Sequence, residues 1–237
     1  MATTFGFQSG DIIAGKYEIV SFLGGGYEGE VYRIRELRTH IERSAKIFFP
    51  KRNLRNNAST SYAKKLHKLR SCPVLIKYHT IEKIKFEDSF VTVFISEYID
   101  GKLLSNYLKQ FRGNYLPVYQ GLHLLHALIV GVENIHKLKE YHGDLHAENI
   151  IVERLGLTFE LKLLDLFNMG RANKNNLQND ILDSIRIFYD SIGGQSRYSK
   201  HSKFVRSICC GLKKTIILKK FKTASQLRLY LETHEWS

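Results

Sequence analysis

Between residues 17 and 22 (Tyr-Glu-Ile-Val-Ser-Phe) apolar and polar positions alternate, the period-two pattern of a strand with one buried face. The stretch Leu23-Gly24-Gly25-Gly26-Tyr27-Glu28-Gly29 follows, and Val31-Tyr32-Arg33-Ile34 reads as a returning strand. The glycines therefore fall in a β-hairpin. Residues 44–48 read as a further apolar strand with a lysine, Lys46, inside it. Lysine is depleted in strands and rarely buried, so this position stands out. Residues 122–137 carry apolar side chains at helical spacing. Two more apolar strands come later, Ile150-Ile151-Val152 and Leu161-Lys162-Leu163-Leu164, the second ending in Asp165. Residues 168–179 are polar and turn-rich. No internal repeat, low-complexity tract or Pro-rich linker interrupts the pattern. No apolar run approaches the roughly 20 residues of a membrane span.

With 237 residues, 43% of them hydrophobic, the chain can build one catalytic unit and little else. Residues 1–15 read as a short lead-in without the charged-then-apolar order of a signal peptide. Cys72, Cys209 and Cys210 are too few and too poorly spaced for a metal site or a disulfide framework, so a reducing cytoplasm is the expected location. The net charge of +13 is concentrated. From residue 191 to 231 there is no acidic residue, against ten basic ones, and Lys64, Lys65, Lys68 and Arg70 form a second cluster. Such surfaces suit an anionic partner, a nucleic acid or an acidic surface, or simply keep the chain soluble.

The candidate chemistry lies in four places. His142-Gly143-Asp144-Leu145-His146-Ala147-Glu148-Asn149 has the form H-x-D-x-x-x-x-N and runs into an apolar strand. It puts a carboxylate able to accept a hydroxyl proton and an amide oxygen able to bind a metal on one loop. Gly24, Gly26, Gly29 and Val31 spell G-x-G-x-x-G-x-V, with Gly25 between. In a hairpin, such glycines let backbone N–H groups approach phosphates. Lys46 follows Ala45 as in a strand V-A-I-K element, and Asp165 ends a strand soon after the loop.

In this order these motifs resemble the protein-kinase-like superfamily over nearly the whole chain, most nearly the bacterial eukaryotic-like serine/threonine kinases. The resemblance implies an α+β, bilobal fold: a small antiparallel-sheet N-lobe with one helix over about residues 1–100, and a mainly helical C-lobe over about 101–237. It implies ATP and Mg²⁺ as cofactors, with ATP in the cleft between the lobes. Asp144 would then orient and deprotonate the acceptor, with Lys46 and His146 assisting transfer, and Asn149 and Asp165 would hold the metal. Lys46 and the hairpin glycines would grip the phosphates. Val31, Ala45 and Ile151 would enclose adenine, and Glu97 and Ile99 would offer it backbone groups, beside Ser96. Residues 59–69 would be the N-lobe helix, residues 180–185 the buried helix whose aspartate braces the catalytic loop, and residues 221–236 the closing helix.

The sequence departs from the pattern in three ways. The N-lobe helix has no acidic residue to pair with Lys46, the expected position being near Ala63, which leaves Glu28 or Glu30 of the hairpin as substitutes, or the phosphates alone to orient the lysine. His146 stands where serine/threonine kinases have lysine, and H-G-D-L-H is similar to small-molecule phosphotransferases of the aminoglycoside type. The segment after Asp165 lacks A-P-E and is short, as in atypical kinases of the RIO kind, and Asp165-Leu166-Phe167 replaces D-F-G. The expected activity is phosphoryl transfer to a protein serine or threonine. A small-molecule or lipid kinase and a pseudokinase or nucleotide-binding regulatory module stay open as alternatives.

Overall fold

The structure, a computed structural model, describes residues 4–155, 158–166 and 170–234. The chain divides into two units, Met1–Arg70 with Ile76–Ile99, and Ser71–Leu75 with Asp100–Ser237.

The first unit is a six-stranded antiparallel sheet with one helix. Its strands are β1 (Ile12–Ile13), β2 (Tyr17–Gly25), β3 (Gly29–Glu36), β4 (Glu42–Phe48), β5 (Tyr78–Phe86) and β6 (Ser89–Glu97), in the order β1-β2-β3-β4-β6-β5. Period-two alternation sorts the side chains. Ile19, Ile34, Ala45, Ile47, Val93 and Ile95 share the buried cluster on one face. The lead-in belongs to that core: Phe5 is buried in it, and its N–H donates to Glu30 Oε2 at 3.1 Å. Tyr32 Oη donates to the same carboxylate. Helix α1 (Asn57–Lys68) carries Tyr62, whose ring meets Phe94 at 4.8 Å between centroids.

The second unit is mainly helical. It contains α2 (Leu104–Leu108), α3 (Val118–Lys137), α4 (Lys174–Ser191), α5 (Gly194–Arg197), α6 (Lys203–Cys209), α7 (Lys214–Lys220) and α8 (Ala224–Glu232). A small sheet of β7 (Lys102–Leu103), β8 (Ile150–Leu155) and β9 (Thr158–Leu163) lies in the order β7-β8-β9. Helix α3 is the spine of this unit, with Leu124, Leu125, Leu128, Ile129, Val132 and Ile135 fully buried. The expected closing helix over 221–236 corresponds to the shorter α8, Ala224–Glu232. Phe221 leaves helical geometry at φ −123°, and Thr223 caps α8 through its side chain. Helix α4 starts at Lys174, so residues 174–179 are helical and not part of a loop. A reciprocal cap between Asn173 and Asn176 starts the helix.

Glu133 ties α3 to α8. Its carboxylate accepts from Arg228 Nε at 2.5 Å, Ser225 Oγ at 3.0 Å and lies 3.0 Å from Lys137 Nζ. Burial alone would raise its pKa, but these bonds outweigh it and lower the value from 4.5 to about 2. A carboxylate with a lowered folded-state pKa stabilises the fold above its unfolded value and loses that contribution as pH falls through the folded one. Arg228→Ala is therefore expected to lower the melting temperature by a few degrees at pH 7. The difference from wild type should shrink as pH approaches 2, which thermal melts across that range will check.

Candidate functional site

In the first unit, the hairpin glycines span the end of β2 and the turn into β3, with Gly25 opposite Glu30. Gly29 is required by packing, since a Cβ there would meet Ile47 O at 2.0 Å. Val31 sits directly opposite Lys46 in the β3–β4 ladder, so the two share a face. Ala45 does not. It has no exposed surface and lies in the apolar cluster on the opposite face, because adjacent strand residues point to opposite sides. The residue two before Lys46, on its own face, is Ser44, paired with buried Ser96. Ala45 is thus not on the face expected of it, and Ser44 shares the face of Val31 and Lys46.

Lys46 Nζ lies 2.7 Å from Glu28 Oε2. From α1, the ring of Tyr62 lies 5.8 Å from Nζ. Glu97 ends β6 and its N–H donates to Lys77 O at 2.9 Å, while Ile99 lies just past the strand.

In the second unit, the loop from His142 to Asn149 is clamped along its length. Asp180, fully buried on α4, accepts from the N–H groups of His142 and Gly143, both at 2.8 Å, and lies 3.0 Å from His136 Nε2. Gly143 has φ +84°, which a glycine adopts without strain. His142 is buried, and its Nδ1 accepts from Asp144 N–H at 3.3 Å. Asn149 Nδ2 donates to both Asp144 O at 2.9 Å and Asp144 Oδ2 at 3.0 Å, which fixes the carboxylate's direction. His146 Nε2 stands 3.6 Å from the same Oδ2, in ion-pair range but too long for a strong hydrogen bond. Leu164 N–H donates to Asn149 O at 2.8 Å, carrying Asp165 next to the loop. Asp165 has φ +50°, a left-handed conformation uncommon for aspartate and frequent at functional sites. Ile151 in β8 faces Gly101, where a Cβ would meet its Cγ2 at 2.5 Å. Phe167 lies outside the described residues. Eight residues, 166–173, separate Asp165 from α4.

The loop cluster includes a carboxylate that the sequence motifs do not single out. Asp183 lies one helical turn beyond Asp180 on α4. Burial, with the charges of Asp180 and Asp144, raises its pKa from 3.8 to about 6, against the opposing pull of Arg186 and His146. Because the folded chain holds this proton more tightly than the unfolded one, stability falls as pH rises from 3.8 through about 6. Asp183→Asn is expected to remove that dependence and to stabilise the fold at pH 7. The gain should be about 1 kcal/mol once the partial exposure of the group is allowed for. Urea unfolding at pH 4 and pH 7 measures it.

An amide oxygen on Asn149 and a carboxylate on Asp165 are hard oxygen donors, the set that suits Mg²⁺ when phosphates and water complete the octahedron. Among the described residues no group of three or more His, Cys, Asp or Glu could hold a metal by itself. The basic cluster expected on α1 is smaller than its sequence suggests, since Lys65 is buried. Between residues 200 and 222, Lys200, Lys203, Arg206, Lys213, Lys214, Lys219 and Lys222 are all exposed. Among the described residues no helix is long and apolar enough to cross a membrane.

Residues 17–199 match the model of a family described as protein kinase domain. Over 165 residues, 68% of the chain, the sequence is 27% identical to Citron rho-interacting kinase of Rattus norvegicus, of which it covers 8%. Over 162 residues, 67% of the chain, it is 27% identical to CBL-interacting protein kinase 30 of Oryza sativa subsp. japonica, of which it covers 32%. The chain thus spans less than a third of the length of these relatives. Among solved structures, the PknI kinase domain of Mycobacterium tuberculosis shares the fold with a TM-score of 0.66 at 13% identity. That match covers 96% of this chain and 98% of the other.

Proposed function

Since the chain belongs to the protein kinase domain family, a family of ATP-dependent kinases, we propose that it moves the γ-phosphoryl group of ATP to a serine or threonine hydroxyl of a protein, with Mg²⁺. The observation that carries this reading is the clamped carboxylate of Asp144. Two bonds from Asn149 orient it or its backbone, and Asp180 braces the loop beneath. A base held this way can receive a hydroxyl proton without first reorganising. In the transfer, a bond forms from the acceptor oxygen to the γ-phosphorus as the bond from that phosphorus to the ADP oxygen breaks, and the acceptor's proton passes to Asp144. Lys46 and the backbone of the Gly24–Gly29 hairpin would bind the phosphates. Val31, Ser44 and Ile151 would line the adenine, with backbone groups of Glu97 and Ile99 at its edge. Asn149 and Asp165 would hold Mg²⁺. The metal held there would supply positive charge that offsets the charge on the transferring group. His146 would add a donor near the acceptor in place of the usual lysine.

The short stretch from Asp165 to α4 supports reading this as a minimal, atypical member, with little chain in which to dock an extended peptide. The same observation supports a second reading, in which the acceptor is a small molecule or lipid. A cytoplasmic setting suits the ATP requirement. The exposed cations between residues 200 and 222 would favour an acceptor or partner with an acidic surface. Mapping phosphorylated residues on the chain and on a protein extract after incubation with Mg²⁺-ATP separates the readings. Phosphoserine or phosphothreonine that depends on the enzyme is the expected result, and label confined to small molecules supports the second reading.

A further inference from the structure

Helix α1 gives Lys46 no carboxylate. It holds no acidic residue, and the side chain it brings to the ammonium is the ring of Tyr62. A carboxylate does come from the turn between β2 and β3, where Glu28 Oε2 accepts from Lys46 Nζ at 2.7 Å. We propose that Glu28 is a positioning residue for Lys46. The hairpin that covers the phosphates, rather than α1, then sets where the lysine points. This rests on the reading above that Lys46 binds the phosphates.

The geometry ties Glu28 to the strand that carries the lysine. Glu28 O accepts from Phe49 N–H at 2.9 Å, just past the end of β4. Gly26 N–H donates to Gly29 O at 2.9 Å and closes the turn. Gly29 packs on Ile47 with no room for a side chain. Tyr27, the neighbour of Glu28, lies under the Arg52 guanidinium, 3.6 Å from ring centroid to guanidinium carbon. The hairpin tip is therefore held by these four contacts, and the Glu28 backbone has little freedom.

Burial separates the two partners. The Lys46 side chain is 12% exposed and that of Glu28 is 43% exposed. A largely buried ammonium is costly without an anion or strong acceptor beside it. The rings of Phe48 and Tyr62, at 5.4 and 5.8 Å from Nζ, add cation–π attraction. Glu30, the hairpin's other carboxylate, is taken up by Phe5 N–H and Tyr32 Oη. An arrangement of this kind couples the lysine to the loop over the phosphates. A ligand or partner that shifts α1 would withdraw no charge from Lys46, whereas one that lifts the hairpin would.

The test uses the full chain with Glu28→Gln, Glu28→Asp and Lys46→Ala. It measures Mg²⁺-ATP affinity by calorimetry, kcat and KM for ATP, and the melting temperature. Lys46→Ala should weaken ATP binding at least tenfold. Glu28→Gln should raise KM for ATP by roughly tenfold, the weight of one charge-assisted hydrogen bond, and lower kcat as well. Its melting temperature should fall by only a few degrees, since the glutamine amide oxygen can still accept from Nζ, and Glu28→Asp should recover part of the loss in KM and kcat. If Glu28→Gln binds ATP as tightly as wild type, or more tightly, while Lys46→Ala is weakened, the carboxylate merely competes with the phosphates and the proposal is overturned. If Lys46→Ala itself leaves ATP affinity unchanged, the phosphate role of Lys46 falls, and the inference with it.

Discussion

Replacing Asp144 by alanine leaves the chain folded and removes phosphoryl transfer. The side chain is half exposed, so its loss opens no cavity in the core. Its partner Asn149 keeps its bond to the Asp144 carbonyl, which alanine retains. The backbone clamp from Asp180 to His142 and Gly143 is also untouched. What disappears is the carboxylate proposed to accept the proton and to orient the acceptor hydroxyl. General base catalysis and its positioning are worth roughly 10²–10⁴ in rate, so turnover should fall by at least that range. Asp144→Asn should behave similarly, because the amide keeps the shape but does not take the proton. Equal melting temperatures for the three proteins, with turnover only in wild type, is the expected pattern. A rate near wild type in Asp144→Ala would remove the residue from the mechanism.

Asp180→Ala, in contrast, damages fold and activity together. The carboxylate is fully buried and accepts two backbone N–H groups and lies at hydrogen-bond distance from His136. Alanine leaves those donors inside the protein without their acceptor. An unsatisfied buried donor costs about 1–3 kcal/mol, so a loss of about 3 kcal/mol in unfolding free energy is expected. The loop then loses the clamp that holds Gly143 at φ +84° and sets the direction of Asp144. Asp180→Asn, which keeps one acceptor oxygen, should cost less. Urea unfolding and the transfer rate, measured on the same preparations, test both parts. Stability within 0.5 kcal/mol of wild type, roughly the scale of a neutral surface substitution, would contradict the brace.

The elements that are legible in the sequence are those whose local pattern leaves one solution. Alternation in β2 and β3 with glycines between them can form little but a hairpin, and the spacing of Leu124, Leu125, Leu128 and Val132 marks α3. The pairing of Asp144 with Asn149 was legible because the H-x-D-x-x-x-x-N form places them five residues apart on one turn-rich loop, where the structure joins them by hydrogen bonds. Ala45 was misread for a reason visible in the same pattern. Family elements set alanine two before the lysine, while here it is adjacent, and adjacent strand residues face opposite sides. The choice between Glu28 and Glu30 as partner for Lys46 was not legible. It depends on Phe5, which lies 25 residues before Glu30 and whose N–H claims that carboxylate. The start of α4 was hidden by a polar run, since Lys174 to Asn179 carries a single large apolar residue, Leu177, and its start is signalled by the Asn173–Asn176 cap alone. Asp183 matters through its neighbours in space, which single-sequence reading does not show.

The central claim is a Mg²⁺-dependent transfer from ATP to protein. The most direct test incubates the purified chain with Mg²⁺ and γ-labelled ATP, with the Asp165→Ala variant and a metal-free control alongside. The expected result is label on serine or threonine in the wild-type reaction and none in either control, with Asp165→Ala still folded. Normal turnover in a folded Asp165→Ala protein, or ATP bound with no label reaching any protein, would contradict it.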